Sequence, residues 1–146
     1  MIFNLGINDC FGANPNELAK TDEHIDGVFK QAEILIKAFR DAAPKAELGI
    51  CLTTPGNARD GAFVANYKNR YPRWGWKRIQ HRLVQRQLKQ FGERETDNLH
   101  LIPTELNLDI VNGYPSDNAV HPNEIGYQQI AATIHAWLMS RLTSSP

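Results

Sequence analysis

The sequence predicts an α/β fold built on a parallel sheet. Two features carry that prediction. Short apolar runs alternate with longer segments of helical period, in the order β-α-β-α-β-α. The runs also close on turn residues, Gly6-Ile7-Asn8-Asp9 after the first and Thr53-Thr54-Pro55-Gly56-Asn57 after the second. Strands that alternate with helices in this way are joined by right-handed crossovers.

The first strand is Met1–Leu5. A helix follows from Thr21, in which Ile25, Val28, Phe29, Ala32, Leu35, Ile36 and Phe39 recur at three and four residues. Thr21 or Asp22 is placed to cap it, and Pro44 stops it. The second strand is the run Ala46–Leu52. The second helix runs from Trp76, with Ile79, Leu83, Val84, Leu88 and Phe91 as its apolar stripe and Gly92 as its C-cap. Asn98–Pro103 forms the third strand. The last helix starts after Asn123 as N-cap and turns Ile130, Ile134, Trp137 and Leu138 inward. One domain over residues 1–142 is expected, with 143–146 as a disordered tail. Three strands are few for such a sheet, and all three look buried on both faces. The first begins at Met1, so part of the domain is expected to lie outside this chain.

At 146 residues, 42% apolar and 22% charged, the chain has the length and composition of one globular domain. No run reaches the roughly 20 apolar residues of a membrane span. No signal peptide is visible, which points to a cytoplasmic protein. Cys10 and Cys51 are too few for a disulfide framework and lack the spacing of a zinc site. They read as free thiols.

Net charge is zero but unevenly spread. From Arg59 to Arg94 ten Lys/Arg face two acids, a net +8, and the rest of the chain carries −8. Tyr67, Tyr71, Trp74 and Trp76 lie among these cations, an arrangement that can stack on bases. No nucleic-acid motif accompanies them, and the basic positions spread around most of the second helix. A solvated face is the favoured reading. A pocket wall suited to an anionic substrate is the next, with Trp74 and Trp76 as substrate-binding candidates. Nucleic acid is not an expected partner.

Chemistry belongs beyond the carboxyl ends of the strands, where open parallel sheets bind ligands. Gly6, Asn8 and Asp9 sit there after the first strand. The segment before the last helix returns to the same rim with Asp117 and His121. A His in that position acts as a general base if a partner orients its other nitrogen. An Asn side chain can donate to a developing oxyanion. His24, His81, His100 and His135 lack ligand spacing and read as structural or solvent-facing. Cys10 lies on the rim but has no base adjacent in sequence.

The stretches "GIND" and "DNAVHPNEIGY" together resemble the SGNH hydrolases, the GDSL-type esterases and lipases. The resemblance runs from about Met1 to Leu142. It implies a three-layer, flavodoxin-like sheet of which the last three strands and their helices are present here. It implies that Asn8 is an oxyanion-hole donor, His121 the general base and Asp117 its carboxylate partner. It also implies a small-molecule ester substrate, with no metal or organic cofactor.

This sequence departs from the family pattern in two places. The family's Gly-Asp-Ser block, with the nucleophile, is absent, as is the block with the Gly whose amide joins the oxyanion hole. Ser116, Ser140, Ser144 and Ser145 do not follow a strand in the Gly-Asp-Ser context. The family also puts its Asp three residues before the His, where this chain has Asn118. Asp117 is four before. Either Asp117 reaches His121 through a longer loop, or the partner is neutral, or a backbone carbonyl orients the ring. The chain alone is therefore expected to be inactive, and its first strand to leave an edge open to self-association. A truncated remnant or a binding module of the same fold is the alternative reading.

Overall fold

The computed structural model describes residues 1–12, 17–68 and 70–143, and of Leu18 the backbone alone. The elements follow the order β1 (Ile2–Phe3), α1 (Leu18–Ala42), β2 (Leu48–Cys51), α2 (Asp60–Tyr67), α3 (Arg73–Phe91), β3 (Leu99–Ile102) and α4 (Glu124–Thr143). The three strands form one parallel sheet in the order β1-β2-β3. The fold is thus mixed α/β with a parallel sheet, as the alternation predicts. Among the described residues no helix is long and apolar enough to cross a membrane.

The period of two along each strand divides the packing. Leu48, Ile50, Leu99 and Leu101 join a core with Ile25, Phe29 and Ile36 of α1 and Ile79, Leu83 and Phe91 of α3. Gly49 faces the other way, where a Cβ would fall 2.9 Å from the Trp137 ring of α4. His100 also turns to that face and lies 6.1 Å from the Trp137 ring. Its Nε2 comes 2.5 Å from Glu47 Oε2, but off the line that a hydrogen bond requires. Every residue of β2 is buried, as expected of a central parallel strand.

Several element ends differ from the sequence reading. The first strand is two residues long, not five, and Leu5 is 62% exposed. Beyond Phe3 its place against β2 is taken by a side chain of α3, described below. The first helix begins three residues before Thr21, so neither Thr21 nor Asp22 caps it. Thr21 is buried and its N–H donates to Glu17 O at 3.0 Å, while Asp22 pairs with Arg82. The helix stops before Pro44 as expected, with Ala43 N–H on Phe39 O at 2.8 Å.

The sequence reading missed α2 altogether, and α3 starts at Arg73, just after Pro72. Leu88 does not belong to the buried stripe of α3. It is 51% exposed, and Gln80 and Gln87 are buried instead. Gly92 caps the helix, its N–H on Leu88 O at 3.0 Å. Asn123 caps α4, its Oδ1 accepting Gly126 N–H at 3.0 Å. Ile130 is buried in that helix and Ile134 packs beside it, but Leu138 faces solvent. Thr143, assigned to a tail, is the last residue of α4; residues 144–146 lie outside the described residues.

Part of the charge asymmetry is met by ion pairs to α1 from α3 and from the segment after it. Arg86 reaches Asp26 at 3.0 Å, Arg94 reaches Glu33 at 3.0 Å, and Arg82 pairs with Asp22. Three cations of the basic segment thus face acids of α1 across a half-exposed seam. Such pairs add little stability each, ~0–1 kcal/mol, but they fix which faces of the helices meet. Between α1, α3 and β1 lies an apolar groove of about 550 Å³, lined in part by Phe3, Leu5, Val28, Ala32 and Leu35.

Candidate active site on the carboxyl rim of the sheet

The first half of the site is made where β1 ends. Gly6 has φ +106°, and a Cβ there would fall 2.4 Å from Thr53 Oγ1. Both facts require glycine. The chain then tightens into a 3-10 turn over Asp9–Phe11, with Asp9 N–H on Gly6 O and Phe11 N–H on Asn8 O, each 3.1 Å. Asn8 is exposed, and its side-chain amide bonds to no described residue. It is free to donate to a ligand.

Two side chains fix this turn, one from outside and one from its own last residue. His24 Nε2 lies 2.9 Å from Asp9 O, which makes His24 a structural tether. Phe11 inserts among aromatic rings, 4.9 Å from Tyr71, 5.0 Å from Tyr67 and 6.0 Å from Trp76. Cys10 is fully buried between them, its Sγ donating to Gly6 O at 3.5 Å. Burial, helped by the Asp9 carboxylate, pushes this thiol far above its ordinary range. Such a group does not ionise near neutral pH, so Cys10 is no substitute nucleophile.

The second half is the loop before α4, and asparagines hold it. Asn118 Oδ1 accepts the N–H groups of Val120 at 3.2 Å and His121 at 2.9 Å. Asn57 is 0% exposed, and its Nδ2 donates to Pro115 O and Asn118 O, both at 2.8 Å. Its Oδ1 accepts Arg59 N–H at 2.9 Å, and its own N–H donates to Ala119 O at 2.8 Å. From α2, Asn66 Oδ1 accepts Ala119 N–H at 2.6 Å. Ala119 and Val120 are buried in the main core, which leaves His121 exposed on a rigid base.

The structure does not bring Asp117 to His121. Asp117 is exposed and its carboxylate meets no described partner, and the His121 ring likewise has none. Asn118, at the family's acid position, spends its oxygen on the loop backbone rather than on the ring. Trp74 is 62% exposed beneath the Arg73 guanidinium, 4.2 Å from its ring, and can still meet a ligand. Trp76 cannot. It is 1% exposed and packs under Gly56, where a Cβ would lie 2.7 Å from the indole. Its place among the cations makes it a substrate candidate in sequence, but its ring fills the core below the loop.

Sequence reading missed Asn57, Asn66 and Tyr114. The run Thr53–Asn57 reads as a turn cluster, which gives no sign that all five residues are buried. Tyr114 accepts Gly56 N–H at 3.1 Å, and burial pushes its phenol up to about 12. Lys77 Nζ donates to Pro55 O at 2.8 Å on the outer side of this run. Burial first, and then the neighbouring Arg73, lower its affinity for a proton. Among the described residues no three His, Cys, Asp or Glu side chains come together as a metal site.

No protein-family model matches the chain, and no curated protein matches it. Among solved structures it is similar to one described as "a putative platelet activating factor from Streptococcus pneumonia". The TM-score is 0.65 at 18% identity, over 94% of this chain and 58% of that one. The likeness is one of fold, and this chain spans little more than half the length of that protein.

Proposed function

We propose that this chain is the C-terminal part of a serine-esterase-like hydrolase of flavodoxin-like, SGNH type, acting on carboxylic esters. In this reading Asn8 donates a hydrogen bond to the oxyanion as the acyl carbon becomes tetrahedral. His121 takes the proton of an attacking serine hydroxyl and returns it to the leaving alcohol. The serine is supplied by a segment outside this sequence.

One observation carries the reading. Asn8 and His121, 113 residues apart, both follow sheet strands at their carboxyl ends, each with a fixed backbone and an unengaged side chain. Polar side chains left free on a braced backbone suit a reacting ligand better than they suit a turn. The solved structure of similar fold, which has more chain than this one, agrees with a partial domain.

A second reading, a remnant or binding module of the same fold, is favoured by the free Asp117. Without a carboxylate on its ring, His121 lacks the partner that orients the imidazole of a catalytic triad. The coding sequence upstream of Met1 separates the two. The first reading expects an in-frame Gly-Asp-Ser segment whose longer product hydrolyses p-nitrophenyl acetate and loses that activity with His121→Ala. A longer product that has the serine block and no activity would overturn it. Absence of the block would favour the remnant.

A further inference from the structure

We propose that Asn66 and Tyr67, adjacent residues at the end of α2, are positioning residues that set Asn8 and His121 relative to each other. The inference rests on the esterase reading for its purpose, but not for its geometry. Asn66 Oδ1 takes Ala119 N–H at 2.6 Å, two residues before His121. The Tyr67 ring lies 5.0 Å from Phe11, three residues after Asn8.

The two halves of the rim come from opposite ends of the chain. Among the described residues no side-chain hydrogen bond or ring contact joins the Asn8 turn directly to the His121 loop. One helical step touches both. It is itself anchored, because Tyr67 also packs 5.6 Å from Tyr71 and 6.4 Å from Phe63, which is buried against Trp76. Trp76 repeats the arrangement one layer down, 6.0 Å from Phe11 and beneath Gly56, whose Cβ position is 3.3 Å from Ala119 O. A shift of α2 therefore moves both halves together, and loss of one contact uncouples one half from this step.

Asn66 is exposed at the helix surface, so its replacement leaves the core intact. Side chains a hydrogen bond holds rather than the core are the ones whose loss is read locally. The test uses the full 146-residue chain, with NMR signals of the Asn8 side-chain amide and the His121 imidazole. Asn66→Ala should speed Ala119 amide exchange by about three- to tenfold, the loss of one hydrogen bond. It should also shift the His121 ring signals. Asn66→Asp keeps an acceptor oxygen and should restore both. Tyr67→Leu, which keeps apolar bulk, should shift the Asn8 amide and, through Asn66, the His121 ring as well.

Changes confined to one half in each variant would overturn the coupling, as would failure of Asn66→Asp to restore the His121 signals. These readouts need no turnover. Coupled signals in this chain, with a longer serine-bearing product that never hydrolyses an ester, would refute the esterase reading and leave the positioning role standing. An active longer product with uncoupled signals would do the reverse.

Discussion

Gln87, a helix residue, hydrogen-bonds the backbone of Thr53 in the place of a strand. Its Oε1 accepts Thr53 N–H at 3.0 Å and its Nε2 donates to Cys51 O at 3.1 Å. Gly49 N–H is paired with Met1 O, so the same register would pair Thr53 N–H with Leu5 O. Instead the chain leaves the sheet after Phe3, and Thr53 reaches Leu5 O only through its hydroxyl, at 3.4 Å. Gln80 completes the substitution, donating to Thr53 O at 2.8 Å. The departure of β1 from the sheet is what frees the Gly6–Asp9 segment to form the turn that presents Asn8.

Gln87→Leu should therefore cost more than an ordinary polar-to-apolar change in a core. It leaves a buried N–H and a buried carbonyl without partners, at about 2–4 kcal/mol together. A urea melt of the variant should show a lower midpoint with an unchanged slope. A midpoint equal to that of the parent would mean that β1 re-pairs with Thr53 when the glutamine is gone.

Asn57→Ala should act on the loop that carries His121. The side chain is fully buried and makes three hydrogen bonds, two of them to carbonyls of that loop. The expected loss is about 2–4 kcal/mol of stability. Amide exchange should quicken most at Ala119 to His121, and much less in β3. Uniform exchange changes across the sheet would argue against a local clamp.

The three strands and the three long helices were legible because apolar periodicity is written in the chain itself. Gly6 and the caps at Gly92 and Asn123 were legible for the same reason, since each answers a local backbone demand. What was not legible is polar and non-local. Gln80 and Gln87 look like surface residues until the end of β1 creates backbone groups for them to satisfy. Asn57 looks like a turn residue until the loop 61 residues away supplies its acceptors at Asn118. α2 is one short helix of eight residues with little amphipathic pattern, so its sequence signals nothing. At the site, Asn8 and His121 stood out by their blocks. No pattern in sequence could say whether Asp117 reaches the imidazole.

The two thiols predict a loss of stability in alkali. Burial raises Cys51 from an ordinary 9.0 to about 11, and raises Cys10 further. Between the unfolded and folded values the unfolded chain has lost its thiol protons and the native one keeps them. The unfolded state then binds fewer protons, so stability falls as pH rises. The contribution is complete below about pH 8.5 and is lost progressively above it, across the window that ends near 11 for Cys51. Urea melts at pH 7.5, 9 and 10.5 should show a declining midpoint, and Cys51→Ala should flatten the decline. At pH 8 a thiol reagent should label the native chain far more slowly than the unfolded one.

The chain by itself should have negligible esterase activity. Asn8 and His121 are free to act, but no described serine stands beside them in the context of a nucleophile. Residual catalysis from an oxyanion donor and a base alone is small compared with that of a complete site. Turnover of p-nitrophenyl acetate by the purified chain should match that of His121→Ala within error. Robust turnover that His121→Ala abolishes would show that a nucleophile is present which the sequence blocks do not reveal.

The free side of β1 should govern how the chain behaves in solution. Among the described residues β1 pairs with β2 alone, so its other edge offers backbone groups that none of them pairs. Beside it lies the apolar groove, and Met1, Leu5 and Leu35 expose large side chains there or nearby. An open edge flanked by apolar surface is a template for pairing with another chain. The fold has little margin against this, since domains of this size hold about 5–15 kcal/mol in all. Size-exclusion chromatography with light scattering should therefore show concentration-dependent association, together with a shallow urea transition. Leu5→Lys should shift the equilibrium toward monomer, because a charge at an edge is costly to bury against a partner. It should leave the melt nearly unchanged, because Leu5 is already largely exposed. A monodisperse monomer with a steep cooperative transition would show that the β1 edge and the groove need no cover.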